Sequence, residues 1–170
     1  MKLLAEISAK TLGLGEGEIL GGKYDLRKSA RAVLLNAEGE MAVQHLKNYT
    51  FHKLPGGGID EGESPEAAAI REVREEVGCE CEIVRALGVV IEYRNDLLHM
   101  SYGYLARVKG EIGAPQLEEG EIEEGQETLW LTPREALQKM ITDEPKKYEG
   151  YFILKRETSF LEEYLKTEMV

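Results

Sequence analysis

The chain has 170 residues, of which 42% are hydrophobic and 31% charged, with a formal net charge of −11. This length suits one folded unit, and we predict a single domain over residues 1–170. A nucleic-acid groove is not expected, since it would need a basic stripe. No apolar run approaches the ~20 residues of a membrane span, and Glu6 interrupts the first run too early for a signal peptide. A cytoplasmic protein is therefore expected.

In the first half of the chain, no helix or strand is predicted before residue 30, and a pair of strands is predicted after it. The stretch GLGEGE, at 13–18, has its third glycine misplaced for a dinucleotide loop and is interpreted as a flexible turn. Two strands are predicted at 30–35 and 40–46, around a turn that carries Asn36 and Gly39.

A helix is predicted over Pro65 to Val77, after the stretch LPGGGIDEGES. Ser64 can cap its first turn, proline suits its first position, and Gly78 suits its end. At about 100° per residue, one stripe can pack on a sheet and a separate arc is acidic. The predicted packing stripe is Glu66, Ile70, Val73 and Val77, and the acidic arc is Glu72, Glu75 and Glu76.

The second half predicts a long strand pair, a short strand and two helices. The pair covers 79–94 and 97–108, with its turn at Asn95 and Asp96, and the short strand covers 127–131. Thr132 suits the cap of the first helix, and 148–166 has the pattern of an amphipathic helix. Cys79 and Cys81 have neither CxxC nor histidine partners and are interpreted as small apolar fillers.

The acidic arc is placed where local stability disfavours it. Carboxylates in the last turns of a helix meet the negative end of its dipole, at a cost of about 0.3–1 kcal/mol. A hard cation such as Mg²⁺ or Mn²⁺ reverses this penalty, because it prefers oxygen ligands. Gly56, Gly57 and Gly58 would let the backbone approach a metal or a phosphate. An EF-hand does not fit, because Arg71 stands where its bidentate glutamate belongs. The residues themselves thus favour a metal site, although a solvated acidic surface remains the alternative.

These residues resemble the signature of the Nudix hydrolases. That signature is Gly, five residues, Glu, seven residues, then Arg-Glu-apolar-any-Glu-Glu-any-Gly-apolar. Each specified place is met here, with Cys79 the softest match because a larger aliphatic residue is usual there. The matching residues are Gly57, Glu63, Arg71, Glu72, Val73, Glu75, Glu76, Gly78 and Cys79.

The resemblance implies an α/β fold, an α/β/α sandwich with a mixed sheet. It also implies hydrolysis of a nucleoside diphosphate linked to a group X, with Mg²⁺ or Mn²⁺. By position, Glu72, Glu75 and Glu76 would be metal ligands together with the Gly57 carbonyl. Arg71 and Glu63 would be an orienting pair, and one carboxylate would be the general base. Some members supply an acid from a loop before a late strand, and Glu124 is the candidate here. The catalytic residues so implied are Glu63, Arg71, Glu72, Glu75 and Glu124.

The substrate is less well indicated than the chemistry. Arg31 and Lys53 are candidates for binding its phosphates, with ordinary surface charge as the alternative. A small nucleotide such as a nucleoside triphosphate is the first expectation, and dinucleoside polyphosphates and nucleotide sugars are alternatives. A module that binds a nucleotide without hydrolysing it, or an isoprenoid diphosphate isomerase, fits the complete signature less well. The oligomeric state is left open, a homodimer included.

Overall fold

The computed structural model describes residues 1–15 and 24–168. Seven strands and four helices lie within these residues. The strands are β1 (Leu3–Ile7), β2 (Asp25–Leu35), β3 (Met41–Leu46), β4 (Phe51–Lys53), β5 (Glu80–Arg94), β6 (Leu97–Lys109) and β7 (Gln126–Leu131). The helices are α1 (Pro65–Val77), α2 (Glu119–Glu123), α3 (Pro133–Thr142) and α4 (Tyr148–Glu168).

The strands form one mixed sheet in the order β1-β5-β6-β2-β3-β4, and β7 also pairs with β3. β1 runs parallel to β5, and β2 runs parallel to β6 along its whole length. The β5–β6 pair is antiparallel and is turned at Asn95, which has a positive φ of 54°. Asparagine tolerates this left-handed conformation better than most residues do.

Helices cover both faces of the sheet and give the predicted α/β/α sandwich. On one face α1 buries Val73 and Val77 against a cluster that includes Ala32, Leu34 and the two free cysteines. On the other face α3 and α4 bury a larger cluster that includes Val33, Phe152 and Phe160. Alternation along β2 explains the division, because successive side chains of a strand point to opposite faces. The predicted fold class is confirmed, and Cys79 and Cys81 are buried fillers, as expected.

Most predicted elements are confirmed within one or two residues. The helix over 65–77 has the predicted bounds, and the long strand pair, the short strand and the two later helices are present. β2 begins at Asp25, five residues earlier than predicted, because 25–29 pair with the start of β6. Of the predicted GLGEGE turn, 13–15 lie in a turn and 16–18 fall outside the described residues.

The glycine loop takes the place of a strand beside β2. β2 and β3 pair only at Leu35 and Met41, so the next stretch of β2 lacks a strand neighbour on that side. Backbone bonds from the loop fill this gap: Ala32 N–H donates to Pro55 O at 3.0 Å, and Ala30 N–H donates to Gly57 O at 3.0 Å. The loop is therefore fixed against the sheet at the point where β2 and β3 diverge. None of the helices in the described part of the chain is long and apolar enough to cross a bilayer.

Candidate active site

Both ends of α1 are fixed by local interactions, and this sets which side chains face the glycine loop. The Ser64 hydroxyl accepts from Ala67 N–H at 3.2 Å, and Gly78 ends the helix with φ of 78° while its N–H donates to Arg74 O. The side chains of Glu72 and Glu76, one turn apart, then point inward and are 8% and 1% exposed. The alternative interpretation of the acidic arc as a solvated surface is therefore wrong for these two residues. Glu66, predicted to pack, is exposed, and Ala68 and Ala69 pack in its place.

Glu76 is the most enclosed carboxylate of the site. Its Oε1 accepts from Lys53 Nζ at 3.0 Å and from Gln126 Nε2 at 3.1 Å, and its Oε2 accepts from Gly56 N–H at 2.7 Å. Burial raises the pKa of Glu76, but Lys53, Glu121 and the Gly56 amide outweigh burial and lower it overall. Glu76 is thus held as an anion that ties α1 to the glycine loop and to β4 and β7.

Arg71 joins the other acidic residues of the signature. Its guanidinium donates to both oxygens of Glu63 at 3.0 Å, to Glu72 at 2.8 Å and to Glu75 at 3.1 Å. It also donates to Gly58 O at 2.8 Å. Hydrogen bonds from Arg71 lower the pKa of Glu63, and those to Glu63 raise the pKa of Arg71. Arg71 and Glu63 therefore have the geometry of the predicted orienting pair.

A third carboxylate meets Glu72 and Glu76 from α2. Glu72, Glu76 and Glu121 each offer an oxygen, and these oxygens lie within 4.8 Å of one another. Glu121 is held by Glu118 N–H, which donates to its Oε2 at 2.8 Å. Burial and the Glu76 carboxylate raise the pKa of Glu72, and burial and Glu76 also raise the pKa of Glu121 to about 7. The group therefore has more negative charge than its cationic neighbours neutralise.

These acids face a cavity of about 410 Å³, which we call the site cavity. Glu75, whose side chain is 37% exposed, lines it beside Glu72 and Glu121. Four cationic side chains line it as well. The residues that line it are Arg27, Arg31, Lys53, Gly56, Gly57, Gly58, Asp60, Arg71, Glu72, Glu75, Glu118 and Glu121.

Glu124 is not brought into this group. It is the residue that caps the C-terminal end of α2, three positions after Glu121, and it lines a second cavity instead. Glu121, three residues earlier in the same acidic stretch, lies with Glu72 and Glu76 instead, and a role for Glu124 stays a prediction. The spacing of Glu118 and Glu121 is that of a capping box, with an acidic residue in the cap position, and this signal could have placed Glu121 in the first turn of a short helix.

The two predicted phosphate-binding cations lie at the site but are not free surface charges. Lys53 pairs with Glu76, and its side chain is 14% exposed. Arg31 is 6% exposed and pairs with the buried Glu157 of α4 at 3.3 Å. Its Nη1 donates to Ala30 O at 2.8 Å and to Gly57 O at 3.3 Å. The Gly57 carbonyl, a predicted metal ligand, thus accepts from Ala30 N–H and Arg31 in this structure.

The donor set fits a hard divalent cation. Its oxygens are carboxylates, which Mg²⁺ and Mn²⁺ prefer, and the three clustered acids come from two separate elements. Gly57 leaves the space that Glu72 needs, since a Cβ there would overlap its carboxylate. A bound cation would compensate the repulsion that raises the pKa values of Glu72 and Glu121.

Comparison with known proteins agrees with this geometry. A family model described as the NUDIX domain matches residues 25–151. The RNA pyrophosphohydrolase of Rhodospirillum rubrum is 43% identical over 53 residues, which are 31% of this chain and 32% of that protein. The mouse diphosphoinositol polyphosphate phosphohydrolase 3-alpha is 42% identical over 55 residues, 32% of this chain and 33% of that protein. Both matches thus span about a third of the relative's length.

The fold comparison covers more of the chain. A solved structure titled as a NUDIX hydrolase from Nitrosomonas europaea superposes with a TM-score of 0.63 at 17% identity. It covers 84% of this chain and 90% of that one. A mixed sheet between helices, with the glutamates of the signature gathered beside the glycine loop, is the architecture of a Nudix domain. This chain belongs to the Nudix family.

Proposed function

We propose that this chain hydrolyses a diphosphate bond in a small nucleotide or nucleotide derivative, with Mg²⁺ or Mn²⁺ as its cofactor. A nucleoside triphosphate is the first candidate substrate. The observation that carries the proposal is the convergence of Glu72, Glu76 and Glu121 beside Glu75 in a cavity that cationic side chains also line. The relatives named above are phosphohydrolases by name, which supports the reaction class.

Each side chain has a role that its contacts support. Glu72, Glu76 and Glu121 would hold the metal, with Glu75 at its open side. A bound divalent cation would neutralise charge on the diphosphate and acidify a bound water. Arg71 keeps Glu63, Glu72 and Glu75 in fixed directions, so that little reorganisation is needed when substrate binds. Arg31 and Lys53 place positive charge where the diphosphate would lie.

The proton of the attacking water needs an acceptor that faces the cavity. Glu75 and Glu121 line it and are only partly buried, whereas Glu72 and Glu76 are 8% and 1% exposed and the oxygens of Glu76 already accept three hydrogen bonds. We assign the proton transfer to Glu75 or Glu121; the sequence left the general base open and offered Glu124 as a further candidate acid.

Glu75→Gln tests the proposal. It should lower turnover by about 10²-fold or more, because an amide is a weak metal ligand and a poor base. Release of phosphate, pyrophosphate or nucleoside monophosphate is measured over a panel of nucleotides with Mg²⁺, and again with a chelator. Glu66→Gln, an exposed change on the same helix, is the matched control. Hydrolysis that persists in Glu75→Gln would refute the role of Glu75. Tight binding of a nucleotide without product would support a sensor instead.

A further inference from the structure

A second cavity, of about 330 Å³, adjoins the site cavity. Arg27, Arg31 and Lys53 line both of them, and Lys147 and Arg156 line only the second. We call it the cationic cavity. Five of its lining side chains are cationic and two, Glu124 and Glu149, are anionic. Such a balance is unusual on a protein with a net charge of −11, where an arbitrary patch of surface would be acidic.

Arg31 has an unused donor at the boundary between the two cavities. Arg31 is 6% exposed. Its Nε donates to Glu157, and its Nη1 donates to the carbonyls of Ala30 and Gly57. Within the described part of the chain, its Nη2 donates to nothing. Nη2 is not among the buried atoms that lack a partner, so this nitrogen reaches the open space of the cavity. A ligand oxygen in the cavity is the natural partner.

The positive charge of the cavity is only partly compensated by the protein. Arg156 pairs with Glu92 and Glu157, and Lys53 pairs with Glu76. Arg27 and Lys147 form no ion pair among the described residues. Burial, followed by the charges of Arg156, Arg31 and Arg27, lowers the pKa of the buried His99 to about 2. The same three arginines line the cavity, so the field that His99 experiences also acts on a bound ligand.

The aromatic side chains of the cavity are poorly placed for a nucleobase. Phe51 is 3% exposed and belongs to the core. One face of Tyr49 is covered by the Lys147 ammonium, 3.6 Å from the ring centroid. Stacking of a base needs an open ring face, and these rings offer little of one.

We propose that the cationic cavity binds a second, multiply phosphorylated part of the substrate, away from the bond that is cleaved. This inference rests on the proposed function, because it takes the site cavity as the place of hydrolysis. Arg31 would contact phosphate oxygens on both sides of the boundary, and Arg27 and Lys147 would hold the distal phosphates. Charge-assisted hydrogen bonds of this kind favour phosphate over neutral groups. The substrates so selected have phosphates beyond one diphosphate.

Binding of inorganic tripolyphosphate to the full chain, measured by calorimetry with a chelator at constant ionic strength, tests the cavity without turnover. Lys147→Gln should weaken this binding by about tenfold, the usual effect of one charge-assisted hydrogen bond. Lys139→Gln, an exposed change of equal charge on α3, is the control and should change the affinity by less than about twofold. Equal effects of the two variants, or no binding to the wild type, would overturn the proposal.

Three substrates with Mg²⁺ then separate the sources of the phosphates. ADP-ribose has one diphosphate, adenosine 5′-tetraphosphate has a base and a longer chain, and a diphosphoinositol pentakisphosphate has many phosphates and no base. We expect kcat/KM to be higher for one or both phosphate-rich substrates than for ADP-ribose, and Lys147→Gln to reduce that ratio about tenfold. Preference for the nucleotide or for the inositol would identify which source applies.

The two proposals fail in different ways. If no substrate is hydrolysed but tripolyphosphate binds in the Lys147-dependent manner, the proposed function is wrong and the cavity assignment stands. If substrates are hydrolysed but ADP-ribose is preferred, or the ratio is the same in Lys147→Gln, the cavity assignment is wrong and the proposed function stands.

Discussion

Gly57 determines where the Glu72 carboxylate can lie. Its backbone is hydrogen-bonded to β2, and the place where its side chain would start is taken by that carboxylate. Gly56, its neighbour, has φ of 142°, and a Cβ there would overlap the Ala30 carbonyl. A Cβ at Gly58 would meet nothing within 4 Å. The three consecutive glycines therefore differ. Gly57 leaves room for the Glu72 carboxylate, Gly56 is required by its φ and by the Ala30 carbonyl, and Gly58 has neither constraint.

Gly57→Ala should remove activity while keeping the fold. The added methyl must displace Glu72, because the atoms it meets are the far end of that side chain, and a misplaced site group costs about 10²-fold in rate. The free energy of unfolding should change by no more than about 1 kcal/mol, since the overlap is relieved by a side chain. Both quantities are measured on the same preparation, as kcat/KM and as a urea midpoint.

Two neighbours provide the comparison for Gly57→Ala. Gly58→Ala should cause a loss of activity at least tenfold smaller, because its methyl lies in open space. Gly56→Ala should lose stability as well as activity, because its overlap is with the backbone and its φ disfavours a side chain. Equal losses of activity in Gly57→Ala and Gly58→Ala would refute the role of the methyl overlap with Glu72.

At the scale of elements, local signals predicted α1 and tertiary contacts decided what it buries. Ser64, Pro65 and Gly78 are adjacent to the helix they bound, so the sequence predicts both ends. The inward turn of Glu72 and Glu76 depends on Lys53, Gly56 and Gln126, which lie on other elements. Local periodicity does not contain those partners, so it predicts an acidic arc without showing that two of its three members are buried.

The buried charges of α4 also depend on contacts with other elements. The adjacent charges of Arg156 and Glu157 look like a solvated pair in sequence, yet they are 2% and 0% exposed. Glu157 Oε1 accepts from Arg156 at 2.6 Å and from Arg31 at 3.3 Å, and Arg156 also donates to Glu92 of β5 at 2.8 Å. These bonds join α4 to β2 and β5. Only the packing of α4 on the sheet brings these charges together, so no spacing rule predicts them.

Glu157→Gln should destabilise the protein by about 3 kcal/mol. The change leaves Arg31 and Arg156 buried with one fewer counter-charge, and breaking a buried pair in this way costs about 3–5 kcal/mol. The retained amide oxygen still accepts a hydrogen bond, which favours the lower end of that range. Urea unfolding followed by circular dichroism measures the difference.

Glu163→Gln is the control on the same helix. Glu163 pairs with Lys2, whose side chain is 66% exposed, and a pair of this kind contributes about 1 kcal/mol or less. If Glu157→Gln costs no more than Glu163→Gln, the buried network does not connect α4 to the sheet in the way its hydrogen bonds indicate.

In the molecule as a whole, cationic side chains gather at the two cavities although the net charge is negative. The chain has a net charge of −11, and the two adjoining cavities share three cations. The Debye length is about 8 Å at physiological ionic strength, so the repulsion of distant acidic residues is largely screened at the cavities. The binding of an anionic substrate therefore depends mainly on the cations within contact distance, and the acidic surface does not prevent it.

Among the groups that make the stability of the metal-free protein depend on pH, Glu121 and His99 have large pKa shifts and act with opposite sign. Glu121 has a folded pKa of about 7 against an ordinary 4.5, so the stability it contributes is present below about 4.5 and lost as pH rises through 7. His99 has a folded pKa of about 2 against 6.5, so its contribution is present above 6.5 and lost as pH falls. Between about 4.5 and 6.5 the two slopes oppose each other, and the total curve alone cannot separate them.

A difference between variants isolates Glu121. The free energy of unfolding of the wild type minus that of Glu121→Gln should fall from pH 5 to pH 8 in the presence of a chelator, because His99 contributes equally to both proteins. Glu119→Gln, an exposed change on the same short helix, should give a flat difference over this range. A difference for Glu121→Gln that is flat or rises with pH would mean that the Glu76 carboxylate and burial do not hold a proton on Glu121. The acids of the site would then not be close enough to compete for one cation.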